Sequence, residues 1–305
     1  APIVAAMLSV ATLWIPFTLI GAVGQVARNA MQRHLTAPLG TWGATAIRFL
    51  FGFPFAILFF AAVLFVTGDP LPQPTSAFWP WLVLGAVSQI AGTGLMLAAM
   101  TDRSFVVTTA YLKTEAIQTA MFGFVFLGDH LTWPKVLAIM IATLGVVITA
   151  LRPGGAKGFG NLRPTVLGLA AAAGFALSAV GFRGAILAVP EVSFVTAATT
   201  TLLFTLGLQT LLMLIYLGLR QPQALREIFR LWRPSMAAGF VGALASQFWF
   251  LAFALTAAAN VRTLALVEVV FAQAVAYYTF KQPLLPRELI GTLMIVAGVA
   301  MLIAL

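Results

Sequence analysis

The sequence predicts an all-α integral membrane protein with about ten transmembrane helices, arranged as two inverted five-helix repeats. Three observations predict this class: the composition, a series of apolar runs of membrane length, and an internal repeat 153 positions along the chain. Of the 305 residues, 61% are hydrophobic and 8% are charged, whereas a water-soluble domain carries about 25% charged residues. The mean hydropathy is +1.02. The chain has too little polar surface for water, so we expect it in a bilayer.

The apolar runs predict spanning helices and not a membrane barrel. Each run is about 20 residues long, the length that a helix needs to cross the hydrocarbon core, and none alternates like a barrel strand. A helix also satisfies its own backbone hydrogen bonds in lipid. The ten predicted spans are residues 4–27, 44–67, 79–100, 105–127, 132–151, 164–187, 192–218, 234–256, 260–281 and 285–304.

A polar linker near the midpoint, residues 152–163, predicts the division of the chain. We expect a first five-helix repeat at residues 1–151 and a second at residues 164–305. An odd number of spans per repeat reverses the direction of the chain, so the second repeat is expected to be inverted. Inverted repeats of this kind place a substrate site near the midplane of the membrane.

Equivalent residues near the end of each half support a duplication. Glu115 and Glu268 are the mid-span carboxylates of the two halves, and 153 positions separate them. The same shift relates Gly145 to Gly298, in the last span of each half. A single shift that aligns both an acid and a helix glycine indicates two copies of one unit.

Several of these motifs resemble those of EamA-type members of the drug/metabolite transporter superfamily. They are the acid-bearing helix, the Phe-Leu-Gly-Asp-His-Leu turn at 126–131, the helix that ends in Gly-Val-Val-Ile at 145–148, and Ala-Ile-Arg-Phe-Leu at 46–50. The resemblance covers essentially the whole chain. It implies ten helices in two inverted repeats around a central cavity, and export of amino acids or other small metabolites. In the second copy, Lys281-Gln282 replaces the Gly-Asp of the turn. The two halves therefore need not open and close the cavity in the same way.

Glu115 is the strongest candidate for a functional residue. A carboxylate at mid-depth costs about 3 kcal/mol on insertion scales, so it is expected to face a cavity or a partner. Tyr111, Glu115 and Gln118 are spaced to share one helical face, whereas Lys113 is about 200° round the helix from Glu115. One interpretation is that Glu115 binds an amine or a proton. The other is a structural ion pair with Arg48.

Glu268 has two similar interpretations. Its predicted helical face is otherwise apolar, which favours a proton-carrying carboxylate. A structural pair with Arg262 or with Lys113 is the alternative. Glu115 and Glu268 are therefore the two candidates for proton coupling.

Amide and aromatic side chains inside the spans complete the candidate site. A glutamine amide both donates and accepts hydrogen bonds, so it suits a polar substrate, although interhelical contacts use it equally well. Tryptophan and tyrosine offer apolar walls, with core packing as the alternative. The predicted substrate-binding residues are Trp14, Gln25, Arg48, Gln89, Tyr111, Glu115, Gln118, Gln247, Trp249 and Tyr277.

This set predicts a substrate class. Large apolar walls with few fixed charges suit neutral or zwitterionic solutes. A phosphorylated substrate would require a cluster of Lys and Arg side chains facing the cavity. An amino acid would offer an ammonium to Glu115 and a carboxylate to Arg48 or to a glutamine pair. We therefore predict a secondary transporter that exports small metabolites, with amino acids favoured, by alternating access. The alternative is a lipid or drug flippase or a channel-like facilitator.

Composition argues against other classes. The chain has no Cys and only two His, and no span has a mid-depth His, Asp or Cys, so we predict neither an enzyme nor a metal or other cofactor. The net charge of +9 is dispersed at helix ends, which does not indicate nucleic acid. The predicted partners are a small-molecule substrate, protons as coupling ion and the lipid bilayer, for a monomer or weak dimer.

The expected location is the cell (inner) membrane, as a multi-pass protein. Most cations lie in the odd-numbered connections, which by the positive-inside rule puts both termini outside. The family resemblance implies termini inside. The orientation therefore stays open.

Overall fold

The computed structural model describes residues 10–102, 111–150, 162–271, 273 and 285–305, and these residues contain helices and no strand. Short 3-10 helices cover Val10–Thr12 and Ala265–Val267, and a π-helical turn covers Gly123–Leu127. The α-helices are α1 (Trp14–Leu50), α2 (Phe53–Thr67), α3 (Phe78–Asp102), α4 (Glu115–Phe122), α5 (Trp133–Ala150), α6 (Leu162–Leu187), α7 (Phe194–Arg220), α8 (Pro222–Arg230), α9 (Trp232–Leu255), α10 (Ala258–Leu264) and α11 (Pro286–Ala304).

Helices of spanning length and apolar composition confirm the predicted fold class. Five were found among the described residues: Leu39–Thr67, Thr165–Leu187, Phe194–Arg220, Trp232–Leu255 and Pro286–Ala304. Two shorter apolar helices cover Glu115–Leu127 and Trp133–Thr149. Each of the ten predicted spans overlaps a helix of the structure. The protein is therefore an all-α membrane protein.

The first connection is shorter than the sequence predicts. Helical residues run through the gap predicted between the first two spans, residues 28–43, and only Gly40 has a non-helical conformation, with φ 67° and ψ 177°. Glycine adopts a positive φ at little steric cost, which lets one residue join two helical arms. The Gln32 side chain donates to the Ala44 carbonyl oxygen across this junction, at 2.9 Å. Gly40 thus replaces the predicted loop.

The described chain forms two compact units, and each combines segments from both predicted repeats. Unit 1 contains Ala1–Ile90 and Gly181–Thr256, and unit 2 contains Ala91–Val180 and Ala257–Leu305. The most extensive helix packing in unit 1 joins α1 to α9, and that in unit 2 joins α5 to α11. The predicted repeat boundary stays a prediction, because most of the linker at 152–163 lies outside the described residues.

In unit 1, Asp69 fixes the loop after α2 to the start of α7. Ser193 is the N-cap of α7, and its hydroxyl accepts from the Thr196 amide at 3.3 Å. Asp69 Oδ2 accepts hydrogen bonds from Ser193 N, Ser193 Oγ and Thr196 Oγ1 at 3.1, 2.6 and 2.5 Å. The Ser193 hydroxyl, followed by that of Thr196, lowers the pKa of Asp69 from its ordinary value. An ionised carboxylate therefore stabilises this helix start.

In unit 2, the packing of α5 against α11 is symmetric. A Cβ added at Gly145 would lie 2.6 Å from the carbonyl oxygen of Gly291, and one added at Gly298 would lie 2.6 Å from that of Ala138. The shift of 153 positions relates Gly145 to Gly298 and Ala138 to Gly291. Each copy therefore makes the same contact with the other: its glycine faces the carbonyl oxygen at the equivalent position of its partner helix. Two inverted copies of one span are expected to pack in this way.

Candidate functional site

Both mid-span acids follow an interruption in a helix of unit 2. Lys113 and Thr114 form a turn, and α4 begins at Glu115. The Thr114 amide and hydroxyl both donate to the carbonyl oxygen of Tyr111, at 3.1 and 2.7 Å, which stabilises the turn. In the second copy, a 3-10 helix at Ala265–Val267 precedes Glu268. Each acid thus begins a new helical stretch where the backbone geometry changes.

Two ion pairs connect these acid-bearing segments. Arg262 Nε lies 2.9 Å from Glu115 Oε1, and the ammonium of Lys113 forms an ion pair with Glu268. The four side chains keep between 10% and 19% of their surface exposed. Each acid is paired with a base that belongs to the other copy. When all four groups are ionised, this paired-charge site carries no net charge.

The pairing explains how four charges are tolerated inside a membrane protein. An isolated charge is costly at membrane depth, and an opposite charge in contact offsets much of that cost. Removing one partner leaves the other charge buried and uncompensated, which costs more than the pair is worth. The acids have equivalent positions in the two copies, whereas Lys113 and Arg262 do not. The site is therefore only partly symmetric.

The structure identifies the partners of both acids. Glu115 pairs with Arg262, so the interpretation that pairs it with Arg48 is wrong. Arg48 lies in unit 1, where its guanidinium carbon is 4.7 Å from the centroid of the Phe49 ring. For Glu268, Lys113 was one of the two partners expected. The sequence could not select the partner of either acid, because the choice depends on which helices pack together.

The predicted stripe of Tyr111, Glu115 and Gln118 stays a prediction. A turn at Lys113 and Thr114 lies between Tyr111 and Glu115, and Thr114 itself keeps right-handed helical dihedral angles. Two members of the stripe contact α6: Tyr111 shares a hydrogen bond with Thr165 at 2.8 Å, and Gln118 donates to the Leu169 carbonyl oxygen at 3.5 Å. Gln118 also donates to Thr114 Oγ1 at 3.1 Å. Lys113, predicted to lie on another face from Glu115, pairs with Glu268 in the paired-charge site.

Two of the predicted amides make interhelical hydrogen bonds in unit 1. Gln209 of α7 donates to Gln89 Oε1 of α3 at 2.8 Å, and Gln247 of α9 donates to Thr199 Oγ1 of α7 at 2.8 Å. Gln209 is fully buried and was missed by the sequence analysis. Gln209 could have been found by the same signal as the other glutamines, because it too is a neutral amide inside an apolar run.

The remaining candidates divide between the two units. Trp14 and Trp249 are buried, and a Cβ added at Gly21 would lie 3.2 Å from the Trp249 ring. Gln25 is half-buried. Unit 1 contains Trp14, Gln25, Arg48, Gln89, Gln247 and Trp249, and unit 2 contains Tyr111, Glu115, Gln118 and Glu268. Tyr277 lies outside the described residues.

Comparisons with known proteins agree with the family resemblance over the first part of the chain. Residues 12–151 match the EamA-like transporter family. No curated protein sequence matches the chain. A solved structure, named only "Crystal structure of protein", is similar over 94% of this chain and 95% of its own, with a TM-score of 0.66 and 18% sequence identity. At this identity the likeness shows the fold alone. Residues 12–151 thus match the EamA-like transporter family, which belongs to the drug/metabolite transporter superfamily, and the apolar helices make the chain a multi-pass membrane protein.

Proposed function

We propose that this transporter exports small neutral or zwitterionic metabolites, with amino acids as the substrate class, by alternating access in the cell inner membrane. The observation that carries the proposal is the paired-charge site of Lys113, Glu115, Arg262 and Glu268. It contains both an acid and a base from each copy, and the net charge of the four is zero.

A zwitterion matches this site in charge. Its ammonium can replace a base beside Glu115 or Glu268, and its carboxylate can replace an acid beside Lys113 or Arg262. Such an exchange leaves every charge compensated at each step. A sugar phosphate would add at least one uncompensated negative charge at membrane depth, which is costly.

The same acids support coupling to protons. A proton that binds Glu115 or Glu268 neutralises the acid and releases its base, and a substrate ammonium competes for the same carboxylate. Proton and substrate would therefore bind in alternation, which is the requirement for exchange of one against the other. The helix interruptions beside both acids are positions where the backbone can change conformation without breaking a regular helix.

The test is uptake by proteoliposomes that contain the purified protein. We expect uptake of neutral amino acids, increased by a pH gradient, and no uptake of sugar phosphates or nucleotide sugars. Glu115→Gln and Glu268→Gln should each reduce uptake at least tenfold. Glu191→Gln is the matched control, because Glu191 is an exposed acid in a connection. Uptake of sugar phosphates without amino acids would refute the substrate class.

The alternating mechanism has a separate test. The chain has no cysteine, so single cysteines can be introduced in α1, α3, α6 and α9 without background labelling. We expect ligand to increase labelling from one side of the membrane while it decreases labelling from the other. Simultaneous access from both sides would indicate a channel-like facilitator. Movement of fluorescent phospholipids without amino acids would indicate a flippase.

A further inference from the structure

Four exposed arginines are concentrated between the end of α7 and the start of α9. They are Arg220, Arg226, Arg230 and Arg233, and together we call them the arginine surface. Glu227 is the acid of this segment, and it lies 3.5 Å from Arg230. The segment from 220 to 233 therefore has a net charge of +3.

Helix α8 holds this surface in a defined orientation. Ile228 is fully buried. A Cβ added at Gly43 of α1 would lie 3.7 Å from Ala224 and 3.9 Å from Ile228, so this face of α8 packs on α1. Arg226 and Arg230 are exposed. Because α8 joins two helices of spanning length, α7 and α9, it lies at the boundary of the membrane.

Large apolar side chains are exposed next to the arginines. Leu219 is 78% exposed, Phe229 57% and Trp232 49%. The guanidinium carbon of Arg233 lies 5.5 Å from the centroid of the Trp232 ring, a cation–π contact. Exposure of these apolar side chains to water would be unfavourable. At the bilayer interface they reach the acyl boundary while the arginines stay at the level of the phosphates.

We propose that the arginine surface binds the phosphate groups of anionic phospholipids. Cations supply the attraction, and arginine in particular binds phosphate with two parallel hydrogen bonds. The adjacent Leu, Phe and Trp side chains favour a lipid over a soluble anion, because they gain from burial in the acyl region. The occupant is therefore a phospholipid with a negatively charged headgroup, such as phosphatidylglycerol.

The experiment measures lipid binding through thermal stabilisation. Purified protein in neutral detergent is titrated with phosphatidylglycerol, and in parallel with phosphatidylcholine, while its Tm is followed. A ligand that binds the folded state raises the Tm, and the rise grows with the logarithm of the ligand concentration relative to its Kd. We expect phosphatidylglycerol to raise the Tm more than phosphatidylcholine does, and added salt to reduce the difference.

Variants locate the site. Arg226→Gln combined with Arg233→Gln should weaken the apparent affinity for phosphatidylglycerol about 25-fold, since each cation near an anionic surface contributes about fivefold. Lys135→Gln is the matched control, because Lys135 is a single cation in the first turn of α5, near the exposed Trp133. It should change the affinity by less than about fivefold.

Three outcomes would overturn the proposal. The first is an equal response to the two lipids. The second is a double variant that keeps the affinity of the unaltered chain. The third is an equal rise in Tm with soluble glycerol phosphate, which would indicate a site for free phosphate groups.

Discussion

The ion pair between Glu115 and Arg262 makes a quantitative prediction about stability. Their charged atoms are 2.9 Å apart, and the side chains are 19% and 10% exposed. Removing one partner of a buried pair costs about 3–5 kcal/mol, because the remaining charge is uncompensated. Since both side chains keep some exposure, we expect the lower value, about 3 kcal/mol, for Glu115→Gln and for Arg262→Gln alone. The double variant should lose less free energy of unfolding than the two single variants lose in sum.

A double-mutant cycle measures this coupling. The free energy of unfolding is determined for all four proteins by denaturant titration in mixed micelles, and we expect a coupling energy of at least about 2 kcal/mol. The control cycle uses Glu227 and Arg230, whose side chains are 44% and 78% exposed and whose charged atoms are 3.5 Å apart. That pair should couple by less than about 0.5 kcal/mol. A coupling near zero for Glu115 and Arg262, or an equal coupling of Glu115 to Arg48, would refute the pairing.

Two further predictions concern packing and pH. Gly298→Leu should destabilise the protein by about 3 kcal/mol, because the added Cβ would lie 2.6 Å from the Ala138 carbonyl oxygen. Gly218→Leu is the control and should have little effect, because the space around Gly218 is open. Equal losses of stability for the two variants in denaturant titrations would contradict this prediction. The pKa of Asp69 is lowered in the folded state, first by the Ser193 hydroxyl. The stability that ionised Asp69 contributes is therefore fully present above its unfolded pKa of about 4, and it is lost as the pH falls through the lower pKa of the folded state. The difference in Tm between the unaltered chain and Asp69→Asn should therefore shrink below about pH 4, and a constant difference from about pH 7 to about pH 3 would show that ionisation of Asp69 is irrelevant.

Much of the fold could be predicted because membrane insertion is a local property of sequence. A run of about 20 apolar residues must become a helix to satisfy its backbone in lipid, whatever its neighbours are. The duplication was equally visible, because Glu115 and Glu268 keep a fixed spacing from the helix glycines Gly145 and Gly298. The symmetric packing of these two glycines agrees with that inference.

The sequence alone thus determined a helical membrane protein, its approximate spans, its duplication and the acids that need a partner at depth. Only the tertiary structure decided which cation meets which acid. The sequence analysis offered Arg48 for Glu115 and either Arg262 or Lys113 for Glu268. Helix packing instead pairs Glu115 with Arg262 and Glu268 with Lys113. The turn at Lys113 and Thr114 was likewise invisible, because hydrogen bonds from Thr114 to Tyr111 stabilise it and no glycine or proline marks it. The physical reason is that insertion depends on residues near in sequence, whereas charge pairing depends on residues brought together by packing.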